Sequence, residues 1–150
     1  MKNDAKPLVS IIILNYNAGE FLLECIKSVL KTNYENFEVI VVDNASNDNS
    51  VELCKKDFQD VKILENDVNL GYCEGNNVGI RKAKGEFVAI LNPDTVVEED
   101  WLKELVDGYN VFGEGIYQPR FLTTNDEKIL QGTGNMIQLF GFGFARNKGD

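Results

Sequence analysis

Glu86-Phe-Val-Ala-Ile-Leu-Asn-Pro-Asp-Thr95 carries a short apolar run into a carboxylate. Phe87 to Leu91 is apolar at every position, as in a strand of a parallel sheet buried between helices, so it is read as a central strand. Pro93 has no N–H and pushes Asn92 toward an extended conformation, so pairing should stop there and Asp94 should project from a stiff corner. Such an acid either caps the next helix or belongs to a site, and this stretch alone leaves both open.

The segments before it repeat one pattern. Leu8 to Leu14 reads as a buried strand, Asn15-Tyr-Asn-Ala-Gly19 as its turn, and Glu20 to about Thr32 as an amphipathic helix with Phe21, Leu22, Cys25, Ile26, Val29 and Leu30 on one side. Phe37 to Asp43 is a second buried strand, followed by the cap-rich Asn44-Ala-Ser-Asn-Asp-Asn-Ser50 and a helix through Val51, Leu53, Cys54 and Phe58. Val61 to Leu64 is a third strand. Asn66 to Gly75 reads as a loop before a short helix, about Asn77 to Ala83, that Lys84-Gly85 closes. After Asp94, Glu98 to Val106 reads as a helix whose three leading acids suit its N-terminus. Ile116 to Leu122 and Lys128 to Gln131 read as a hairpin, and Phe140-Gly-Phe-Gly-Phe144 as a small strand, a flap or a contact surface. Alternating strands and helices imply an α/β fold, a mostly parallel Rossmann-like sheet flanked by helices with a C-terminal antiparallel hairpin.

With 150 residues, 43% of them hydrophobic, the chain can bury a core as one domain. Its 15 basic and 24 acidic residues give a formal charge of −9, which disfavours nucleic acid and anionic lipid surfaces as partners. No apolar run approaches a membrane span and the N-terminus lacks an apolar signal core, so a cytoplasmic location is expected. Histidine is absent, and Cys25, Cys54 and Cys73 share no metal-ligand spacing, which removes His-based catalysis and structural zinc. Cys25 and Cys54 fit as small core residues, and Cys73 falls in the expected loop.

In open α/β sheets, ligands bind beyond the carboxyl ends of the strands. Here those ends carry Asn15, Tyr16 and Asn17, then Asp43 and Asn44, then Asn92 and Asp94. Each alone fits a turn or a cap; together they describe a cleft. Tyr16 offers a flat face for a base, and Asp43 can accept from a base imide or a ribose hydroxyl. Asp94 suits a divalent cation that would also touch phosphate. A carboxylate about 4 Å from a phosphate charge costs on the order of 4 kcal/mol at an effective dielectric of 20, so a metal is the expected neutraliser. Gly71, Gly75 and Gly79, four apart, could let a helix start approach a diphosphate or sugar, or could serve close helix packing. The loop fits neither the dinucleotide fingerprint nor the P-loop.

The runs VSIIILNYN (Val9 to Asn17), VIVVDNASND (Val39 to Asp48), NLGYCEGNNVGIRKAKGEFVAILNPDT (Asn69 to Thr95) and YQPRFL (Tyr117 to Leu122) resemble the family 2 glycosyltransferases of GT-A fold, especially the rhamnosyltransferase-like branch. The resemblance implies sugar transfer, usually with inversion, from a nucleotide-diphosphate sugar to a glycan or lipid-linked acceptor, with Mg²⁺ or Mn²⁺. The inner membrane face would then be reached only through the acceptor. It places the nucleoside at Asn15, Tyr16, Asn17, Asp43 and Asn44, and the donor near Gly71, Asn76, Asn77 and Asn92. Asp94 falls where the metal-binding D-x-D motif ends, with Asn92 in place of its first acid. The family's base belongs to a C-terminal half beside the acceptor. Residues 1–150 are therefore expected to be one nucleotide-sugar-binding domain, its base beyond Asp150 and its remainder supplied by a missing C-terminal half or a partner chain. A non-catalytic nucleotide- or sugar-binding module is the alternative. A nucleotidyltransferase loses support because Asn15 to Gly19 holds neither Arg nor Lys.

Overall fold

The computed structural model describes residues 6–119 in full, together with the backbone of four short strands beyond them. The chain divides into two compact units, Met1–Asp100 and Trp101–Asp150. In the first, β1 (Val9–Asn15), α1 (Glu20–Val29), β2 (Phe37–Asp43), α2 (Ser50–Asp57), β3 (Lys62–Glu65), α3 (Gly71–Ile80) and β4 (Phe87–Leu91) follow in turn. Their strands form one parallel sheet in the order β3-β2-β1-β4. The chain thus steps outward from β1 to β3 and then returns across β1 to place β4 on its other side. That reversal opens a crevice at the carboxyl ends of β1 and β4, the usual ligand position in such sheets.

β1 is buried at every position, and its neighbour β2 from Val39 onward. Ile12, Leu14, Ile40 and Val42 form a core cluster on one face, with Leu64, Val78 and Ala83 packed against it. Lying against this face, α3 begins six residues earlier than the sequence reading placed it, so Cys73 is helical rather than in a loop. Two glycines and two asparagines within Glu74 to Gly79 weaken helix propensity, which hides the start of the helix from a local reading. Packing overrides that preference. A Cβ on Gly75 would lie 2.5 Å from Leu14 Cδ1, and one on Gly79 would lie 2.6 Å from Ile12 Cγ2. The glycines are the price of bringing the helix backbone against the sheet.

β4 is not the centrally buried strand expected from its composition. Among the described residues it stands at the sheet edge, with Val88 42% and Ile90 46% exposed. Its in-register partners Ser10 and Ile12 show that Val88 and Ile90 lie on the α3 side of the sheet. An apolar run reports a strand's composition and leaves its neighbours unspecified.

A polar clasp joins the strands at the opposite end. Fully buried Ser10 donates from Oγ to Glu38 Oε1 at 2.6 Å and accepts the Gly85 and Lys84 amides at 2.8 and 3.2 Å. The Lys84 amide also reaches Glu38 Oε1, at 2.7 Å. Burial opposes the Glu38 charge, but these bonds and the charges of Lys62 and Lys84 outweigh it and hold its carboxyl below the usual glutamate range.

In the second unit, α4 (Trp101–Phe112) starts later than expected, and Trp101, Leu102 and Val106 are buried. The acids expected in its first turn partly serve another end: Glu99 O and Asp100 Oδ1 accept from Asn33 at 2.7 and 2.9 Å. The expected hairpin is present as β5 (Phe121–Thr123) paired antiparallel with β6 (Asp126–Gly132). A second pair, β7 (Asn135–Ile137) and β8 (Gly143–Ala145), takes in the end of the Phe140 to Phe144 alternation, of which Phe140 to Phe142 lie outside the described residues. Among the described residues no helix is long and apolar enough to cross a membrane.

Two outcomes are expected in denaturation experiments. A Cβ on Gly85 would meet Ser10 N, Phe87 O and Leu8 O at 2.6 to 2.8 Å, so Gly85→Ala should lower unfolding stability by about 1–3 kcal/mol in urea titrations. The depressed Glu38 ionisation contributes stability present above the unfolded glutamate value and lost as pH falls through the lower folded value. Glu38→Gln should therefore flatten the acid limb of a stability profile, and an unchanged limb would disprove the clasp.

Candidate functional site

The first strand pair ends with Asn15 opposite Asp43, and the Asn44 amide donates to Asn15 O at 2.8 Å. Asn15 has no exposed surface, so its amide must be satisfied inside the protein. Nδ2 donates to Asp43 Oδ1, Ser50 Oγ and Ser46 Oγ at 2.8, 2.9 and 3.1 Å, while Oδ1 accepts the Ala18 amide at 3.4 Å. Two amide hydrogens thus serve three acceptors, and the side chain is taken up by the scaffold. Asp43, 5% exposed, also accepts the Ser46 hydroxyl on Oδ1 at 2.6 Å and the Ser46 amide on Oδ2 at 3.0 Å. A carboxylate oxygen accepts more than one hydrogen bond, so Oδ2 retains capacity for a donor arriving from the crevice.

Tyr16 follows this knot and is 49% exposed. The next residue, Asn17, is left-handed at φ 53°, a conformation asparagine tolerates better than most side chains. Two bonds to the facing loop hold it. Its amide donates to Ser46 Oγ at 2.9 Å, and its Oδ1 accepts the Asn47 amide at 2.7 Å. An aromatic ring therefore stands out from a braced backbone beside a nearly buried carboxylate, the pairing of flat face and acceptor that suits a nucleobase.

Asn44 has a different task. Its Nδ2 donates to Asn69 Oδ1 at 2.8 Å and Gly71 O at 3.3 Å, and its Oδ1 accepts from Leu70 N at 2.9 Å and Asn66 Nδ2 at 3.2 Å. The Asn69 side chain accepts the Gly71 amide, and Gly71 has φ 74°, which explains glycine there. Asn44 thus shapes the entry to α3. Asn76 and Asn77, adjacent in sequence, diverge in space. Asn77 is exposed and donates to Glu74, whose ion pair with Arg81 and bond from Asn77 hold its carboxyl below the usual range. Asn76 is 3% exposed, donates to Tyr72 O at 2.9 Å and leaves its Oδ1 without a partner among the described residues.

Across β1 lies the Asn92-Pro93-Asp94 corner. The order β2-β1-β4 and a strand spacing of about 4.8 Å put its strand end about 10 Å from that of Asp43. Asn92 O accepts the Thr95 amide at 3.2 Å and the Cys25 thiol at 3.6 Å, while Ser28 Oγ accepts the Val97 amide at 3.1 Å. Helix α1 therefore buttresses this turn. Burial pushes the Cys25 thiol up to about 12, with the Asp94 charge adding to the effect, and burial takes Cys54 to about 11. Both thiols stay protonated and structural. Asn92 and Asp94 are exposed. Among the described residues no group of three His, Cys, Asp or Glu gathers around a metal position. One exposed carboxylate and one amide oxygen could supply only part of a divalent cation's oxygen shell, so any ion held here would take its other ligands from elsewhere. The four loops at these strand ends contain no Lys or Arg.

Sequence reasoning missed Ser46, Asp48, Ser50, Asn66 and Asn69 as parts of the site's frame. The first three stood in plain view as a cap-rich run, but their partners lie about thirty residues away.

The family model described as "Glycosyl transferase family 2" matches residues 10–149. The chain is 39% identical over 101 residues to "Glycosyltransferase GlyG" of Streptococcus pneumoniae, an alignment covering 65% of this chain and 34% of GlyG. S. aureus TarS 1-349, solved in complex with UDP-GlcNAc, superposes with TM-score 0.62 at 26% identity over 73% of this chain and 37% of that one. Mannosyltransferase PcManGT from Pyrobaculum calidifontis, in complex with GDP-Man and Mn²⁺, gives TM-score 0.57 at 27% identity over 62% of this chain and 29% of its own. The chain thus spans about a third of the length of these relatives. A GT-A sheet with an acid and an aromatic at one strand pair and a second acid across the switch point agrees with that match, and the chain belongs to glycosyl transferase family 2.

Proposed function

We propose that this chain binds a nucleotide-diphosphate sugar along the carboxyl edge of β2, β1 and β4, and serves transfer of the sugar to a glycan or lipid-linked acceptor with inversion. The observation that carries the reading is the row of strand ends, with Asp43 at the end of β2, Tyr16 just past the end of β1 and Asp94 just past the end of β4. The nucleobase rests on Tyr16 and donates to Asp43 Oδ2. The diphosphate crosses the end of β1 toward Asn92 and Asp94, and the sugar lies toward Gly71, Asn76 and Asn77. The donors bound by TarS and PcManGT support this assignment. The Asn69 to Thr95 motif favours the rhamnosyltransferase-like branch.

Asp94, with Asn92, would hold Mg²⁺ or Mn²⁺ jointly with the diphosphate, and the ion supplies charge neutralisation of the leaving nucleotide when bound. Asp43 accepts and Tyr16 orients, and neither is assigned deprotonation of the acceptor. The catalytic base belongs to the acceptor side, outside the donor site, and a cytoplasmic location supplies the donor. A non-catalytic binding module would share the donor site and differ in turnover, so a transfer assay on the protein separates the two.

Thermal unfolding should respond to UDP, GDP or dTDP sugars with Mg²⁺ or Mn²⁺, by about 2.7 kcal/mol at a hundred times the dissociation constant. Metal alone should leave the transition unmoved. No shift with any donor would sink the proposal. Asp94→Ala should remove the metal-dependent part of the affinity, and a metal effect that survives this change would take Asp94 out of the metal site. Tyr16→Ala should weaken every nucleotide it stacks by about 1–3 kcal/mol in calorimetric titration, while an effect confined to one sugar would place the ring elsewhere.

A further inference from the structure

Asp48 is exposed and belongs to none of the contacts assigned above to donor or metal, yet it gathers two helix starts. Its Oδ2 accepts the Gly19 amide at 2.8 Å. Its Oδ1 accepts the Ser50 amide at 3.1 Å and also the Ser50 hydroxyl. Gly19 precedes α1 at φ 57° and ψ −130°, and no side chain of its own segment caps that helix. Ser50 opens α2, is fully buried, and accepts from Asn15 Nδ2 at 2.9 Å. One carboxylate thus links the end of the Asn15–Gly19 loop to Ser50, and Ser50 links it to the loop's beginning. Tyr16 lies between two ends that both connect to Ser50, one directly and one through Asp48.

We propose that Asp48 is a positioning residue of the nucleotide site, holding the Asn15–Gly19 loop closed so that Tyr16 is pre-set for the base. The proposal rests on the donor reading given above. Its physical content is preorganisation: a loop already fixed loses less conformational freedom when ligand arrives. Asn17 strengthens the brace through Ser46 and Asn47, but both contacts fall mid-loop. Among the described residues Asp48 is the side chain that accepts the Gly19 amide, at a backbone conformation that favours glycine. Burial slightly opposes the Asp48 charge, and the Ser50 hydroxyl, the Ser50 amide and the Gly19 amide outweigh it, so the carboxyl ionises below the usual aspartate range. The anchor is therefore charged throughout the neutral range.

The test uses the whole 150-residue chain with UDP, GDP and dTDP plus Mg²⁺ at pH 7. Asp48→Ala should weaken binding about tenfold, the size of one net hydrogen bond, and Asp48→Asn, which keeps one acceptor oxygen, should fall between. In ¹⁵N NMR of the wild type, the Gly19 and Ser50 amides should titrate together below the usual aspartate range, and bound nucleotide should slow hydrogen exchange at Gly19 at least tenfold. These wild-type readouts hold even where a variant fails to fold. Equal affinity of wild type and Asp48→Ala, or Gly19 exchange unmoved by bound nucleotide, would overturn the role of Asp48 alone. Failure of the wild type to bind any of the three nucleotides would overturn the donor reading, and the positioning role with it.

Discussion

The buried side-chain amide of Asn15 is the contact on which the rest of the site depends. A primary amide removed from water must find its hydrogen-bond partners within the protein or forfeit a large part of the folding free energy. Asn15 finds them on Asp43, Ser46, Ser50 and Ala18. Satisfying the amide therefore fixes the β1–α1 loop against the β2–α2 loop. It also orients Asp43, whose Oδ1 accepts from Asn15 and the Ser46 hydroxyl and whose Oδ2 accepts the Ser46 amide.

From that knot the frame extends in two directions. Asn44 carries it to the loop before α3, where Asn66, Asn69, Leu70 and Gly71 are tied together. Asp48 and Gly19 carry it to α1, and α1 in turn supports the Asn92–Val97 turn through Cys25 and Ser28. The same helix thus meets the Asn15–Gly19 loop at its start and the Asp94 corner along its side. Tyr16, Asn92 and Asp94 are exposed at the strand ends, while Asn15, Asn44 and Ser50 are buried and hold the loops in shape.

Much of this was legible in the residues. β1 and β2 announce themselves as apolar runs with polar ends, and the resemblance carried by Val9 to Thr95 led to the family the comparisons show. The division of labour was not legible. Tyr16 already read as a flat face, but Asn15 and Asn17 read alike as turn residues, and one is wholly buried while the other is a left-handed brace. Likewise Asn76 and Asn77 read as a pair, and the helical turn of about 100° per residue sends them to different environments. The start of α3 escaped because local propensity argued against a helix that close packing on Leu14 and Ile12 requires.

By itself the sequence determined which residue types end which strands, because apolar runs, a proline and cap-forming residues act through local conformation and hydrophobic period. It therefore determined the α/β class, the polar strand ends and the stiff Asp94 corner. Tertiary structure alone decided strand neighbours, and so set β4 beside β1 with Asp94 across the switch point from Asp43. It alone decided that Asn15 meets Ser50 and Gly19 meets Asp48, contacts spanning 35 and 29 positions. Such pairings follow from satisfying buried polar groups after the chain has closed on itself, and no local pattern encodes which distant partner will do so.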